Sequence, residues 1–308
     1  MWKYNGPIFD AHTHIGNPKN LEEMIMFEDE FGITAQLAIV HTKEVFLDAR
    51  NKYPDRFVFA KYLFLNDIAH FETDKIVDDI YRTKDEGYVL TKMWFGPRWR
   101  DYYENAPKDF RIDDTRLEPV FQALEDNSLP LLIHVGDPDT YYKLHYADTD
   151  KYGTKEDHLA QLKNVIERYD RLLFQLPHFA SQPEIHRLSN LSTWLNQYSN
   201  VIIDTASSRW MARELSKDVK DAREFLMRHS DRILFGTDLS TDRTDRDYFQ
   251  GRYHAQRVLW ETRAQHTPLP FEDADTRDSG GTFINGLDLP LSVLRKLYWD
   301  NAVRIYRT

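Results

Sequence analysis

Leu129-Pro130-Leu131-Leu132-Ile133-His134-Val135 is an apolar run of strand length with a histidine next to its end. On either side, Leu117 to Leu124 and Leu159 to Ile166 place apolar residues three and four apart, the spacing of helices that bury one face. The same alternation extends both ways along the chain. Toward the N-terminus lie Pro7-Ile8-Phe9, Ile33 to Val40, Phe57 to Leu65 and Tyr88 to Phe95; toward the C-terminus lie Leu172 to Leu176, Val201 to Ile203 and Arg232 to Phe235. Such runs, apolar on both faces, are what parallel strands covered by helices require. Leu21 to Ile25, Ile76 to Tyr81 and Ala222 to Met227 supply helical patterns between them. Strand and helix therefore alternate eight times, which predicts an α/β chain closed as a (β/α)8 TIM barrel. An open doubly wound sheet is the competing arrangement, but no glycine-rich phosphate loop follows the first run.

The bulk composition fits one such domain over residues 1–308. With 308 residues, 41% of them hydrophobic, the chain can build a large core, and a barrel of this kind uses about 250 residues. A net charge of -10 argues against a nucleic-acid partner and against an anionic membrane surface. There are no cysteines, which removes disulfides, zinc–thiolate sites and a thiol nucleophile. The stretch Met1 to Asp10 has no apolar core of signal-peptide length, and no apolar run approaches the roughly 20 residues of a membrane span. A cytoplasmic enzyme acting on a small-molecule substrate is the expectation, with a homo-oligomer left open. Three stretches are too long for barrel turns: 96–114, 137–157 and 262–289. The first two follow strands four and five on the side where barrels carry their active sites, so they are candidate pocket walls.

The chemistry begins at Phe9-Asp10-Ala11-His12-Thr13-His14. In a regular strand Asp10, His12 and His14 share a face, and two imidazoles on one face can grip a divalent cation. Alone, a His-x-His pair is as often two ordinary strand-end histidines. Three further strands, however, end on a ligand type after an apolar run: Leu132-Ile133-His134, Leu176-Pro177-His178 and Phe235-Gly236-Thr237-Asp238. A buried carboxylate such as Asp238 costs several kcal/mol unless it is paired or bound to metal, and packing does not account for four such ends on one rim.

In combination these motifs resemble the amidohydrolase superfamily, and the ending Trp299-Asp300-Asn301-Ala302-Val303-Arg304-Ile305-Tyr306 resembles its amidohydrolase-2 branch, which includes aminocarboxymuconate-semialdehyde and dihydroxybenzoate decarboxylases. The resemblance implies one divalent metal, Zn2+ first and Mn2+ as an alternative, held by His12, His14, His134 and Asp238. It implies that Asp238 also moves protons and that His178 stands beside the metal as a catalytic residue. Lys92 on strand four has two readings. Carboxylated, it would bridge a second metal, as in binuclear superfamily members; unmodified, its ammonium would bind a substrate carboxylate or oxyanion. Trp94 and Arg98 join it as candidate substrate-binding residues, and Asp10 is a candidate partner for the free N–H of a ligating imidazole. His41 and Asp204, at the ends of strands two and seven, are pocket-lining or structural. His70, His158, His186, His229, His254 and His266 read as surface or packing residues.

The leading expectation is hydrolysis of an amide, lactone or other ester by metal-activated water. The alternative is non-oxidative decarboxylation, or a related lyase or hydratase reaction, of an aromatic or muconate-type acid, because the same ligand set serves both. A structural metal in a binding scaffold and a nuclease are further readings; the acidic chain disfavours the latter.

Overall fold

A computed structural model describes residues 2–64, 73–102, 107, 109–243 and 245–306. Strands β1 (Ile8–Ile15), β2 (Ile33–Val40), β3 (Phe57–Leu63), β4 (Leu90–Trp94), β5 (Leu131–His134), β6 (Phe174–Leu176), β7 (Val201–Asp204) and β8 (Ile233–Leu234) pair in parallel, each with its sequence neighbour. A short β9 (Leu239–Ser240) continues the line of β8 and pairs in parallel with β1, Thr13 against Leu239 and His14 against Ser240. Backbone bonds from Ala11 N to Phe235 O and from Asp238 N to His12 O stitch the gap. The sheet therefore closes, with β8 and β9 as two halves of one interrupted stave, and the α/β barrel expected from the sequence is the fold. Leu65 and His70, read above as strand end and surface histidine, lie outside the described residues.

The barrel interior is filled by Phe9, Ala11, Leu37, Ile39, Ala60, Leu90, Leu132, Ile202 and Leu234, all within 3% of complete burial. The last helix, Asn301–Tyr306, plugs the N-terminal end: Ala302 and Tyr306 join the interior cluster, and the Tyr306 ring stacks on Phe9 at 5.4 Å. Asn301 holds this helix in place by donating to the carbonyls of Ser230 and Ile233, at the entry to β8. Helices Leu21–Phe31, Thr73–Glu86, Glu118–Asp126, Lys155–Arg168 and Val219–Arg228 occupy the predicted helical stretches. No helix among the described residues is long and apolar enough to cross a membrane.

Two local features depart from the sequence pattern. The stretch 137–157 is not a loop but forms helices Asp139–His145 and Thr149–Tyr152 before the longer helix begins. And β1 does not alternate regularly. Between Asp10 and Thr13 it advances three residues while β2 advances two, from Gln36 to Ala38. An extra residue in one strand reverses the facing of everything beyond it. Phe9 and Ala11 consequently lie in the barrel interior, and Thr13 bonds outward to Gln36. Asp10 lies away from the interior, bonded to Thr237 and 3.4 Å from Tyr253 on the helix that runs Arg246–Glu261.

Candidate metal centre and active site

The C-terminal ends of the strands deliver His12 and His14 from β1, His134 from β5, His178 just after β6, Asp204 from β7 and Asp238 from the break between β8 and β9. Asp238 sits at φ +60°, a left-handed conformation that aspartate tolerates better than most residues. The residue before the dyad Thr237-Asp238 is Gly236, where a Cβ would lie 3.0 Å from that of His12; the glycine lets the broken stave approach β1. The four residues His178 to Ser181 all have φ between 52° and 62°, a left-handed turn that costs about 1–2 kcal/mol per residue and so marks a constrained site.

His12, His14 and Asp238 converge. Their potential ligand atoms all lie within 4.8 Å of one another, and Asp238 Oδ1 is 3.4 Å from His12 Nε2 and 3.2 Å from His14 Nε2. Asp204 accepts from His12 Nδ1 at 3.0 Å. That bond places the proton on Nδ1 and leaves Nε2 a lone pair, and His12 Nε2 is buried with no hydrogen-bond partner among the described residues. An orphaned imidazole lone pair beside a second imidazole and a carboxylate suits a divalent cation. Burial drives the His14 pKa down to about 4, against the pull of Asp238, so His14 is neutral. Burial opposes ionisation of Asp238, but the bond from His14 and the nearby His12 and His178 outweigh it and hold the carboxyl well below the usual range.

His134, expected as the fourth ligand, does not join this cluster. Its Nε2 donates to Asp137 at 3.1 Å, and Asp137 is also held by the Tyr146 hydroxyl at 2.6 Å. Burial pushes the Asp137 carboxyl up, but these partners bring it below its ordinary value. With Nε2 committed, His134 Nδ1 is left to accept from His178 Nε2 at 3.1 Å. Burial, with His134 adding to it, lowers the His178 pKa to about 3, so the ring is neutral and its buried Nδ1 has no partner. The Trp210 indole N–H, whose ring lies 5.0 Å from that of His178, is likewise buried and unpartnered.

A cavity of about 250 Å³ opens beside the donor cluster, lined by His14, His41, Tyr62, Lys92, Trp94, His134 and Asp238. Lys92 is 2% exposed and makes no hydrogen bond or ion pair to any described residue. Burial lowers its pKa to about 8, with Asp238 and Asp204 pulling the other way. Tyr62 faces Lys92 across the β3–β4 register, and Trp94 faces His134 across β4–β5. The His41 ring lies 4.4 Å from Tyr62.

Of the remaining sequence candidates, Trp94 and Lys92 line the cavity and Arg98 does not. Arg98 is about half exposed at 49% and is paired with Asp101 at 3.5 Å. Asp10 does not partner an imidazole: it accepts from the backbone N–H groups of His12 and Thr237 and from the Thr237 hydroxyl. The extra residue in β1 turns it outward, and the ring acceptor for His12 is Asp204 instead. His178 stands behind His134 rather than on the cavity wall. Sequence reasoning missed Tyr62, Asp137 and Trp210. Tyr62 carried a signal, since it ends an apolar strand at the same level as Lys92; Asp137 and Trp210 follow their strands by a turn or more and carried none.

A closed parallel barrel with a His-His-Asp cluster at the C-terminal ends of its strands defines a class of candidate metal-dependent barrel enzymes. The chain belongs to the amidohydrolase family, whose model matches residues 72–308. The match takes in His134, His178 and Asp238 and begins after the His-x-His pair. Among solved structures the chain is similar to 5-carboxyvanillate decarboxylase LigW from Sphingomonas paucimobilis, at 12% identity and a TM-score of 0.58, over 98% of this chain and 99% of that one. A Yersinia pestis DHPS bound to a pterine-sulfa conjugate overlaps at 11% identity and a TM-score of 0.36, over 83% and 98% of the two chains, which is too distant to inform the site. No curated protein matches the sequence significantly.

Proposed function

We propose that this chain is a divalent-metal-dependent decarboxylase of a small, flat carboxylic acid, aromatic or muconate-type. The observation that carries the reading is Lys92: a buried ammonium with no hydrogen bond or ion pair among the described residues, in a cavity walled by Tyr62, Trp94 and His41 next to the donor cluster. A buried charge without a directly bonded counter-ion is costly, and a substrate carboxylate supplies one. Aromatic walls suit a planar ring. The name of the similar structure, a decarboxylase of an aromatic acid, supports the same choice.

His12, His14 and Asp238 would hold the ion, Zn2+ or Mn2+, and His134 would have to release Asp137 to join them. When bound, the ion supplies Lewis acidity toward a substrate oxygen. The protein's own groups do the rest. Asp204 keeps His12 in the ligating tautomer. Lys92 pairs with the carboxylate, and Trp94 and Tyr62 hold the ring plane. In the reaction the bond between ring carbon and carboxylate breaks, carbon dioxide leaves, and the electron pair stays on the ring carbon, which takes up a proton. Lys92, ionised at neutral pH, is a lining group that carries one; Asp238 is held ionised and His178 lies a ring away. A cytoplasmic setting and a homo-oligomeric state remain compatible with this activity.

The test is a panel of hydroxylated benzoates and muconate-type acids, offered to protein loaded with Zn2+ or Mn2+, with carbon dioxide release followed by a coupled assay. Carbon dioxide in step with substrate loss supports the proposal. Turnover confined to lactones, esters or amides would overturn it and return the site to hydrolysis.

A further inference from the structure

The plug helix at the bottom of the barrel is connected to the candidate metal ligand at the top by an unbroken line of buried hydrogen bonds. The Tyr306 hydroxyl donates to Gln175 Oε1. Gln175 Nε2 donates to the Ala11 carbonyl at 3.0 Å and to Asp204 Oδ2 at 2.9 Å. The same Oδ2 accepts from His12 Nδ1 at 3.0 Å. Gln175, Asp204 and His12 are each no more than 1% exposed and Tyr306 is 7% exposed, so the line is buried along its length. Asp204 Oδ1 is separately taken by the backbone N–H groups of His178 and Ala206. Oδ2 is thus left to the two side chains, His12 and Gln175.

The direction of each bond matters. A glutamine amide has one accepting and one donating end. Tyr306 presents an O–H to the accepting end, which keeps the donating end turned to Asp204. Asp204 then presents a fixed, doubly hydrogen-bonded oxygen to His12, and His12 must hold its proton on Nδ1. Nε2, the atom that faces His14 and Asp238, is left as a lone pair.

We propose that Tyr306 and Gln175 are positioning residues for the metal centre: the C-terminal helix sets, through Gln175 and Asp204, the tautomer in which His12 can ligate. This rests on the metal reading of the His12, His14 and Asp238 cluster, but the tautomer part stands without any ion. Direct partners of ligating histidines change metal affinity by about 10–100-fold; Tyr306, two links further away, should act more weakly, by roughly 2- to 10-fold, the worth of one buried hydrogen bond.

The experiment compares the parent with Tyr306→Phe, Gln175→Leu, Ile305→Ala, Asp204→Asn and the double variant Tyr306→Phe/Asp204→Asn. Zn2+ affinity is read by competition with a chelating dye, and the His12 tautomer in metal-free protein by 15N NMR of the imidazole. Ile305→Ala loosens the same helix without touching the bonded line, so it reports purely structural damage. The expected result is weaker Zn2+ binding and a mixed His12 tautomer in Tyr306→Phe and Gln175→Leu, parent-like values in Ile305→Ala, and no added effect of Tyr306→Phe once Asp204 is Asn. Unchanged affinity and tautomer in Tyr306→Phe would overturn the proposal, and so would an equal loss in Ile305→Ala or full additivity with Asp204→Asn. A parent that binds no Zn2+ but holds His12 with its proton on Nδ1, lost in Tyr306→Phe, would sink the metal reading and leave the positioning line intact.

Discussion

Replacing Asp204 by asparagine changes one atom and should weaken metal binding. Oδ1 of Asp204 accepts from the backbone N–H groups of His178 at 3.2 Å and Ala206 at 3.0 Å, which cannot turn away. The carbonyl of an asparagine must therefore occupy that position. Its NH2 then takes the place of Oδ2 and meets two donors, His12 Nδ1 at 3.0 Å and Gln175 Nε2 at 2.9 Å. Gln175 cannot flip to accept, because its other contacts, the Ala11 carbonyl and the Tyr306 hydroxyl, fix it in the present sense. His12 can change: it becomes the acceptor at Nδ1 and moves its proton to Nε2. A protonated Nε2 does not ligate. Losing the proper partner of a ligating histidine costs about 10–100-fold in affinity, or about 1.4–2.8 kcal/mol. The assay is Zn2+ titration of parent and Asp204→Asn against a chelating dye, with urea unfolding of the metal-free proteins to confirm that both are folded. A folded variant that binds Zn2+ as tightly as the parent would refute the tautomer argument.

Lys92→Ala should weaken binding of simple benzoates by roughly 10- to 100-fold, the worth of a hydrogen bond to a charged group, in a calorimetric titration. Since the Lys92 pKa is lowered to about 8 by burial, the parent should lose benzoate affinity as pH rises through 8 while the variant stays flat; a parent with no such slope would count against Lys92 as the anchor. His178→Asn should retain the metal content of the parent by elemental analysis, because His178 bonds to His134 and stands outside the donor cluster; loss of the ion would make it a ligand. Glu28 is fully buried, and burial raises its pKa to about 7 from 4.5, with Arg56 and Gln36 opposing. Between those values the folded state binds more protons than the unfolded one, so this residue's contribution to stability is greatest below pH 4.5 and falls by on the order of 3 kcal/mol as pH rises past 7. Urea unfolding of parent and Glu28→Gln from pH 4.5 to 8 should show the parent declining more steeply, and parallel curves would contradict it.

The fold was legible because its cause is local and repeated. An apolar run such as Ile33–Val40 has one stable use, a strand covered on both sides, and each run is followed by a helical pattern that can cover it. The strand-end positions of His134, His178 and Asp238 were legible for the same reason, since an apolar run that stops on a polar residue shows where the strand leaves the core. The face presented by Asp10 was not. It depends on one extra residue in β1, and register shifts arise from pairing with β2 rather than from the β1 sequence.

What the sequence alone determined, then, is the order of elements, the closure into a barrel and the set of residues brought to one rim. The tertiary structure decided what each of those residues does there. An imidazole has two nitrogens, and which one is free depends on what lies opposite the other. Asp204 takes His12 Nδ1 and frees Nε2 for an ion, whereas Asp137 takes His134 Nε2 and draws that ring out of the cluster. Both carboxylates are distant in sequence or set by a turn, and only the folded chain places them opposite the rings they govern.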